Sequence, residues 1–437
     1  MFAPPLSRRS FVAGSLAGAG ALALPRGVRA EGAGVQNAKA PVRKLTDGPN
    51  HHWFGYYDKL QFSPGDQFVL SNAVGFEGRS PTAEDSIEVG FVDRTTDGGF
   101  RSVGSSRAFG WQQGCMLQFR PEHGDEIVWN DRDGDRFVCR LLDLSLKATD
   151  GVSLRTISEP IYTLAPDGKT GISADFRRIN DLRPGYGYAG LPDPHADELA
   201  PEESGVRSVD LDSGESDLIF SIAQAAAIEP RQPSMNGAKH YFNHLLYSPN
   251  GERFIVLHRW RPDGGKGRFQ TRMFTVNADG SEPYVLDPSG HTSHFIWRDP
   301  EHICAWTKPA GKPWGFYLFT DQTDEVAAVG PDKMPANGHN TYLPAPEGSP
   351  WEVGEWILND TYPTPRKGAR LQTVYLYHVP TGERIDLASF HSPPAYDGEW
   401  RCDTHPRASR DGRTVCVDSP HDGGRQLYEL DISGIVG

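Results

Sequence analysis

Leu245-Leu246-Tyr247-Ser248-Pro249-Asn250-Gly251, followed by Phe254-Ile255-Val256-Leu257, reads as an apolar strand, a tight turn and a second apolar strand. Pro, Asn and Gly supply the backbone angles that a chain reversal needs. The unit recurs along the chain. Earlier copies are Leu60-Gln61-Phe62-Ser63-Pro64-Gly65-Asp66, Leu117-Gln118-Phe119-Arg120-Pro121 and Tyr162-Thr163-Leu164-Ala165-Pro166-Asp167-Gly168. Later copies are Phe295-Ile296-Trp297-Arg298-Asp299-Pro300, Thr341-Tyr342-Leu343-Pro344 and Arg407-Ala408-Ser409-Arg410-Asp411-Gly412. Seven copies of one supersecondary unit predict an all-β ring, a seven-bladed β-propeller, with each copy giving the two inner strands of a blade. A β-sandwich of many short strands is the alternative.

A second hairpin pattern separates the copies. It is clearest at Met273-Phe274-Thr275-Val276-Asn277-Ala278-Asp279-Gly280, which leads to Pro283-Tyr284-Val285-Leu286. The same pattern runs from Val206 to Phe220, from Val374 to Leu387 and, more weakly, from Val89 to Val103. These are the two outer strands. The last copy, Leu427-Tyr428-Glu429-Leu430-Asp431-Ile432, supplies only a third strand, whereas Pro41-Val42-Arg43-Lys44-Leu45 has strand character and no partner nearby in sequence. Pairing these two ends would close the ring and remove two exposed sheet edges. Asp175 to Gly205 is a long excursion in blade 3, rich in Pro, Gly and charge and carrying Arg183-Pro184-Gly185-Tyr186-Gly187-Tyr188. On a rigid ring such an excursion reads as a lid or binding loop.

Ser7-Arg8-Arg9-Ser10-Phe11-Val12, an Ala/Gly/Leu stretch and Val28-Arg29-Ala30 form a twin-arginine export leader, residues 1–30, which sends the remaining single domain, 31–437, to the periplasm or beyond. No run has the roughly 20 apolar residues of a membrane span. Removing the four leader arginines takes the formal charge from −13 to about −17, which excludes nucleic acid as a partner. The five cysteines lack metal-knuckle spacing and read as buried thiols, with room for one bridge.

When the seven inner strands are aligned on the turn motif, the residue three positions before its aromatic or apolar member is Lys59, Met116, Ile161, His244, His294, His339 and His405 in turn. Histidine is only 15 of the 437 residues, so four of seven at one register is a signal. Innermost strands point equivalent positions at the axis, where imidazoles left without partners would be costly. A divalent cation or an anionic ligand removes that cost. Asp403 and His405 lie two residues apart on an extended strand and face one side. With His294 as third ligand they form the expected metal set.

Asn243-His244-Leu245-Leu246-Tyr247-Ser248-Pro249, Thr292-Ser293-His294-Phe295-Ile296-Trp297 and Thr404-His405-Pro406-Arg407 resemble inner strands of the oligogalacturonate lyases, seven-bladed propellers that bind manganese. The resemblance covers blades 4 to 7 best. It implies manganese as the ion, His294 and His405 as ligands, and His244 as the proton-abstracting base. Two departures stand out: the family's His-Pro-His-Pro reads Asp403-Thr404-His405-Pro406 here, and its glutamine ligand has no match around Trp400. Ulvan lyases are a more distant comparison.

These residues suit β-elimination beside a uronate, in an acidic oligosaccharide or polysaccharide. The reaction needs a base, a group that neutralises the carboxylate, and a way to spread the developing charge. Arg231, Arg259, Arg401 and Arg407 are the candidate arginines. Arg259 is grouped with His244 as catalytic, with Tyr188 as the alternative base, and Arg231, Arg401 and Arg407 are grouped with substrate binding. His339 joins the substrate set, as do His52 and Gln113 from His51-His52-Trp53 and Gln112-Gln113, although those segments also read as strand packing. Asp58, Asp360 and Asp403 would instead serve a glycoside hydrolase. A non-catalytic Tol- or WD40-like binding propeller is the third reading, since fold alone does not decide function.

Overall fold

Successive side chains point to opposite faces of a strand, so continuous apolar runs such as Phe254-Ile255-Val256-Leu257 are buried on both faces between neighbouring sheets. The computed structural model describes residues 34–97, 99–145, 154–366 and 369–437; the leader expectation, residues 1–30, lies outside them. The strands form seven antiparallel sheets arranged as a seven-bladed β-propeller. Inner strands are His51–Trp53, Gln118–Phe119, Thr163–Leu164, Lys239–Tyr247, Phe295–Asp299, Thr341–Tyr342 and Arg407–Ala408. The core lies between blades. One cluster, for example, packs Ile255, Leu257 and Met273 of blade 4 against Phe295, Trp297 and Ile303 of blade 5.

The ring closes as expected. Val42–Lys44 pairs antiparallel with the last long strand, Gln426–Asp431, in the register Val42 to Leu430. Glu429 accepts from Arg43 at 2.7 Å and from Arg94 at 2.8 Å, tying the closure to blade 1. The pair Val35–Gln36, not anticipated from the sequence, adds a further strand to the outer edge of blade 6. All five cysteines are free and buried, so the one allowed bridge does not form. No helix among the described residues is long and apolar enough to cross a membrane.

Blade 1 departs from the expected pattern in a way that matters for the site. Its inner strand is His51–Trp53, and of the segment Leu60 to Phe62 only Phe62 bridges back, to Val69. Residues 54–59 leave the sheet and swing to the axis. The departure begins at Gly55, whose φ of +116° favours glycine and where a Cβ would lie 2.7 Å from the backbone of Gln113. Asp418 holds the turn by accepting from Phe54 N at 3.2 Å and Gly55 N at 3.3 Å.

The blade 3 excursion is ordered. Asp175 caps a short helix, Phe176–Leu182, by accepting from Arg177 N at 3.1 Å. Buried Arg178 pairs with Asp193 at 2.9 Å and donates to carbonyls of residues 195, 198, 199 and 240, which folds the loop against blade 4. Tyr186 is thereby carried over the axis.

Candidate metal and active site

The register histidines converge at the axis: His294, His339 and His405 just precede their inner strands, and His244 lies within its own. His244 sits at a bulge between Asn243 and Leu245 with φ of +57°, and His405 has φ of +39°. Non-glycine residues hold this conformation at a cost, and such strain concentrates at functional positions. The His294 and His339 rings are 4.2 Å apart, and those of His339 and His405 are 4.3 Å apart. Tyr56 and Tyr57, delivered by the blade 1 departure, fill the space between them. Tyr56 lies 4.8 Å from the His244 ring and 5.3 Å from that of His405, and Tyr57 lies 5.4 Å from His339.

One ligand atom from each of His339, Asp403 and His405 falls within 4.8 Å of the other two. His339 and Asp403 are each tied at one atom and free at another. His339 Nδ1 faces Asp360 at 2.9 and 3.0 Å, and Asp403 Oδ2 accepts from Arg401 Nε at 2.7 Å. His339 Nε2, Asp403 Oδ1 and His405 Nε2 are all buried with no hydrogen-bond partner. Three orphaned donor atoms at one point are costly, and a divalent cation satisfies them together, with the Asp360–His339 pair as the outer carboxylate that commonly orients such a ligand. The residues therefore fit the implied ion. Burial pushes the His405 pKa well below its usual value, and the neighbouring His339 adds to the effect, so the ring is neutral and able to coordinate. Burial also works to lower His339, but Asp360 outweighs it and raises the net value.

The register makes His294 the expected third ligand and His339 a substrate contact, whereas the geometry gathers His339 with Asp403 and His405. His294 stands beside the group, its Nδ1 3.0 Å from Asn337 Oδ1 and its Nε2 3.4 Å from the Tyr362 hydroxyl.

His244 faces a different partner. Its Nε2 is 3.1 Å from Asp58 Oδ2, and Lys59 Nζ holds the other Asp58 oxygen at 2.9 Å. The ring stacks on Phe295 at 4.0 Å, and Nδ1 is buried and unpartnered. Burial takes the His244 pKa down to about 4 against the pull of Asp58, so the ring is neutral at pH 7. With Nε2–H donating to Asp58, Nδ1 is left as a free acceptor. The Gln113 amide meets the Tyr162 hydroxyl at 2.7 Å, and that hydroxyl accepts from His244 N at 2.9 Å. Gln113, expected on substrate, thus supports the strained backbone of His244.

Several other expectations are corrected by packing. Tyr188 stacks on Phe176 at 4.2 Å and its hydroxyl accepts from Asn130 at 2.9 Å, which makes it core rather than a base candidate. The tyrosine at the axis is Tyr186, whose hydroxyl accepts from Arg401 Nη2 at 2.7 Å and whose ring lies 4.1 Å from the Arg183 guanidinium. Burial acts to raise the Tyr186 pKa, but Arg401 and Arg183 bring it down to about 7. Arg407 is committed to Gln61, Asp418, Cys416 and the carbonyls of Thr404 and His405, so no donor is left for a ligand. Arg231 is exposed and reaches Asn236 at 3.4 Å. His52 is buried edge-on to Phe100 at 4.9 Å, where burial, aided by His51, lowers its pKa to about 4.

Of the four candidate arginines, Arg259 alone has buried donors with no partner, Nε and Nη1. Both Arg183 and Arg259 lie over the Phe269 ring, at 4.5 and 4.8 Å. Such stacking is worth about 0.5–2 kcal/mol, less than the several kcal/mol that withdrawing a guanidinium from water costs. Arg183 carried no signal in the sequence beyond its place in an Arg/Tyr-rich loop.

No protein-family model matches the chain, and no curated protein matches it by sequence. The solved structures are informative. The fold is similar to that of the oligogalacturonate lyases. An oligogalacturonate lyase from Vibrio parahaemolyticus aligns at 16% identity over 92% of this chain and 96% of its own, with a TM-score of 0.59. An oligogalacturonate lyase in complex with manganese aligns at 15% identity over 91% of this chain and 94% of its own, with a TM-score of 0.57. At these identities the correspondence establishes the seven-bladed fold.

Proposed function

We propose that the protein is a metal-assisted lyase that cleaves a uronate-containing oligosaccharide or polysaccharide by β-elimination. The observation that carries this reading is the pairing of two features: three orphaned ligand atoms on His339, Asp403 and His405, and a neutral His244 whose Nδ1 is free while Asp58 holds Nε2. A divalent ion held by the three residues would supply Lewis-acid neutralisation of the substrate carboxylate. Two imidazoles and a carboxylate suit several first-row ions, and manganese, carried by one solved neighbour, is the first to test.

The chain's own residues then divide the work. His244 Nδ1 accepts the proton next to the carboxylate, and Asp58 stabilises the imidazolium that forms. Arg401 fixes Asp403 through Nε, Asp360 fixes the His339 ring, and Tyr56 and Tyr57 wall the axis against water. Export by the twin-arginine leader would place this activity in the periplasm or outside the cell.

Glycoside hydrolysis is less well served. It needs a carboxyl group that stays protonated near neutral pH. Burial works to raise Asp58 and Asp360, but Lys59 and His244 hold Asp58 down at about 2, and His339 with Thr404 holds Asp360 below its usual range. Incubation of the mature protein with uronate polysaccharides should generate the ultraviolet absorbance of a 4,5-unsaturated product. New reducing ends without that absorbance would overturn the lyase reading in favour of hydrolysis.

A further inference from the structure

The axis carries two clusters of buried polar atoms that lack partners. One is the candidate metal group, His339, Asp403 and His405 on blades 6 and 7. The other is built from Arg183 of the blade 3 excursion with Tyr241, Arg259 and Phe269 of blade 4. Tyr56 stands between them, its ring touching His405 on one side and His244 on the other. In the second cluster Arg259 Nε and Nη1, Arg183 Nε and the Tyr241 hydroxyl are all buried and unpartnered. The residues that act most on the Arg259 charge are Arg183, Tyr241, Tyr56 and Tyr186, and none is a carboxylate. Among the described residues neither Arg183 nor Arg259 forms an ion pair, although buried arginine is normally paired. Arg261, the next arginine along the strand, is spent on the carbonyls of Leu182 and Gly267 and offers no relief.

We infer that Arg183 and Arg259, with the Tyr241 hydroxyl, form an anion subsite for a second acidic group of the substrate, distinct from the carboxylate held at the metal group. Two guanidiniums stacked on one aromatic ring present forked donors to a single carboxylate or sulfate, which is the geometry such groups accept best. Arg401 is not part of this pair, because it is committed to Asp403 and to the Tyr186 hydroxyl at the metal group. The preferred substrate therefore carries acidic groups on neighbouring sugars, either two uronates or a uronate beside a sulfated sugar. This assignment of the occupant rests on the lyase reading; the existence of the anion site does not.

The test has two arms. In the first, inorganic sulfate is titrated against the full mature protein and thermal unfolding is followed. Sulfate should raise the Tm of the wild type, Arg183→Gln and Arg259→Gln should abolish the rise, and Arg259→Gln should unfold no earlier than wild type in sulfate-free buffer, since it removes an uncompensated buried charge. Equal sulfate responses in wild type and both variants overturn the anion site. In the second arm, turnover is compared on trigalacturonate, on the same trimer methyl-esterified at every uronate but the reacting one, and on a uronate linked to a sulfated sugar. Arg183→Gln should raise KM by about 10- to 100-fold on whichever doubly acidic substrate the wild type prefers and leave the esterified trimer unchanged. An equal KM change on free and esterified trimers overturns the second acidic group while leaving the lyase reading intact. Wild type that binds sulfate but cleaves none of the three overturns the lyase reading, and the occupant with it, while the anion site stands.

Discussion

Asp360→Asn isolates the residue that the structure makes responsible for His339. Asp360 is buried and accepts from His339 N at 2.8 Å, Thr404 Oγ1 at 2.5 Å and His339 Nδ1 at 2.9 Å. Asparagine matches its shape and can still accept from Nδ1–H while presenting its amide to the Thr404 oxygen, so packing is retained and the charge is lost. Without that charge the His339 ring is a poorer donor at Nε2. Loss of an outer carboxylate of this kind lowers metal affinity by roughly 10- to 100-fold, or about 1.4–2.7 kcal/mol. The assay is a calorimetric titration of the metal-stripped protein with manganese, run beside turnover at rising metal concentration. Affinity should fall by that factor, excess metal should restore most of the activity, and the Tm of the metal-free protein should move by no more than about 2–4 °C. Unchanged affinity in Asp360→Asn would refute the placement of His339 in the metal group.

His244→Ala should lower turnover by roughly 100- to 10,000-fold with metal content intact, whereas His405→Ala should lose metal and turnover together; equal metal loss in both would make His244 a ligand. Arg407→Ala leaves Asp418 as a buried charge without its partner and should cost about 3–5 kcal/mol in denaturant unfolding with KM unchanged; wild-type stability with a raised KM would return Arg407 to the substrate. Burial, the first cause in each case, lowers His52, His240, His244 and His421 to about 4. A histidine kept neutral when folded binds its proton only on unfolding, so its contribution is full above about pH 6.5 and is lost as pH falls toward 4. Stability should drop by roughly 1.4 kcal/mol per pH unit for each such histidine, and a flat unfolding profile from pH 6.5 to 4.5 would contradict their burial.

The sequence alone determined whatever depends on neighbours along the chain. Turn residues between apolar runs repeat at each blade, so the seven-bladed count follows from local chemistry. The closing strand was legible for a related reason: a sheet that stops at Asp431 leaves an edge, and Val42–Lys44 is the segment with strand character and no other partner. The axial register of His244, His294, His339 and His405 came from the same periodicity. Tertiary structure decided which of these side chains meet. His339 replaces His294 in the candidate metal group because Asn337 and Tyr362 face the two ring nitrogens of His294, whereas Asp360 holds His339 Nδ1 and leaves its Nε2 free. Asp58 reaches His244 across 186 residues of sequence because Gly55 lets the chain leave blade 1 and enter the axis. Tyr186 rather than Tyr188 faces the site because a glycine-rich coil has no fixed side-chain period, so its contacts, Arg401 for one tyrosine and Phe176 for the other, fix which way each ring turns. Arg407 looked like a ligand contact from its place beside His405, yet the buried Asp418 that tethers the blade 1 turn needs a counter-charge, and the pairing of Arg407–Ala408 with Thr414–Ser419 inside blade 7 brings Arg407 to it.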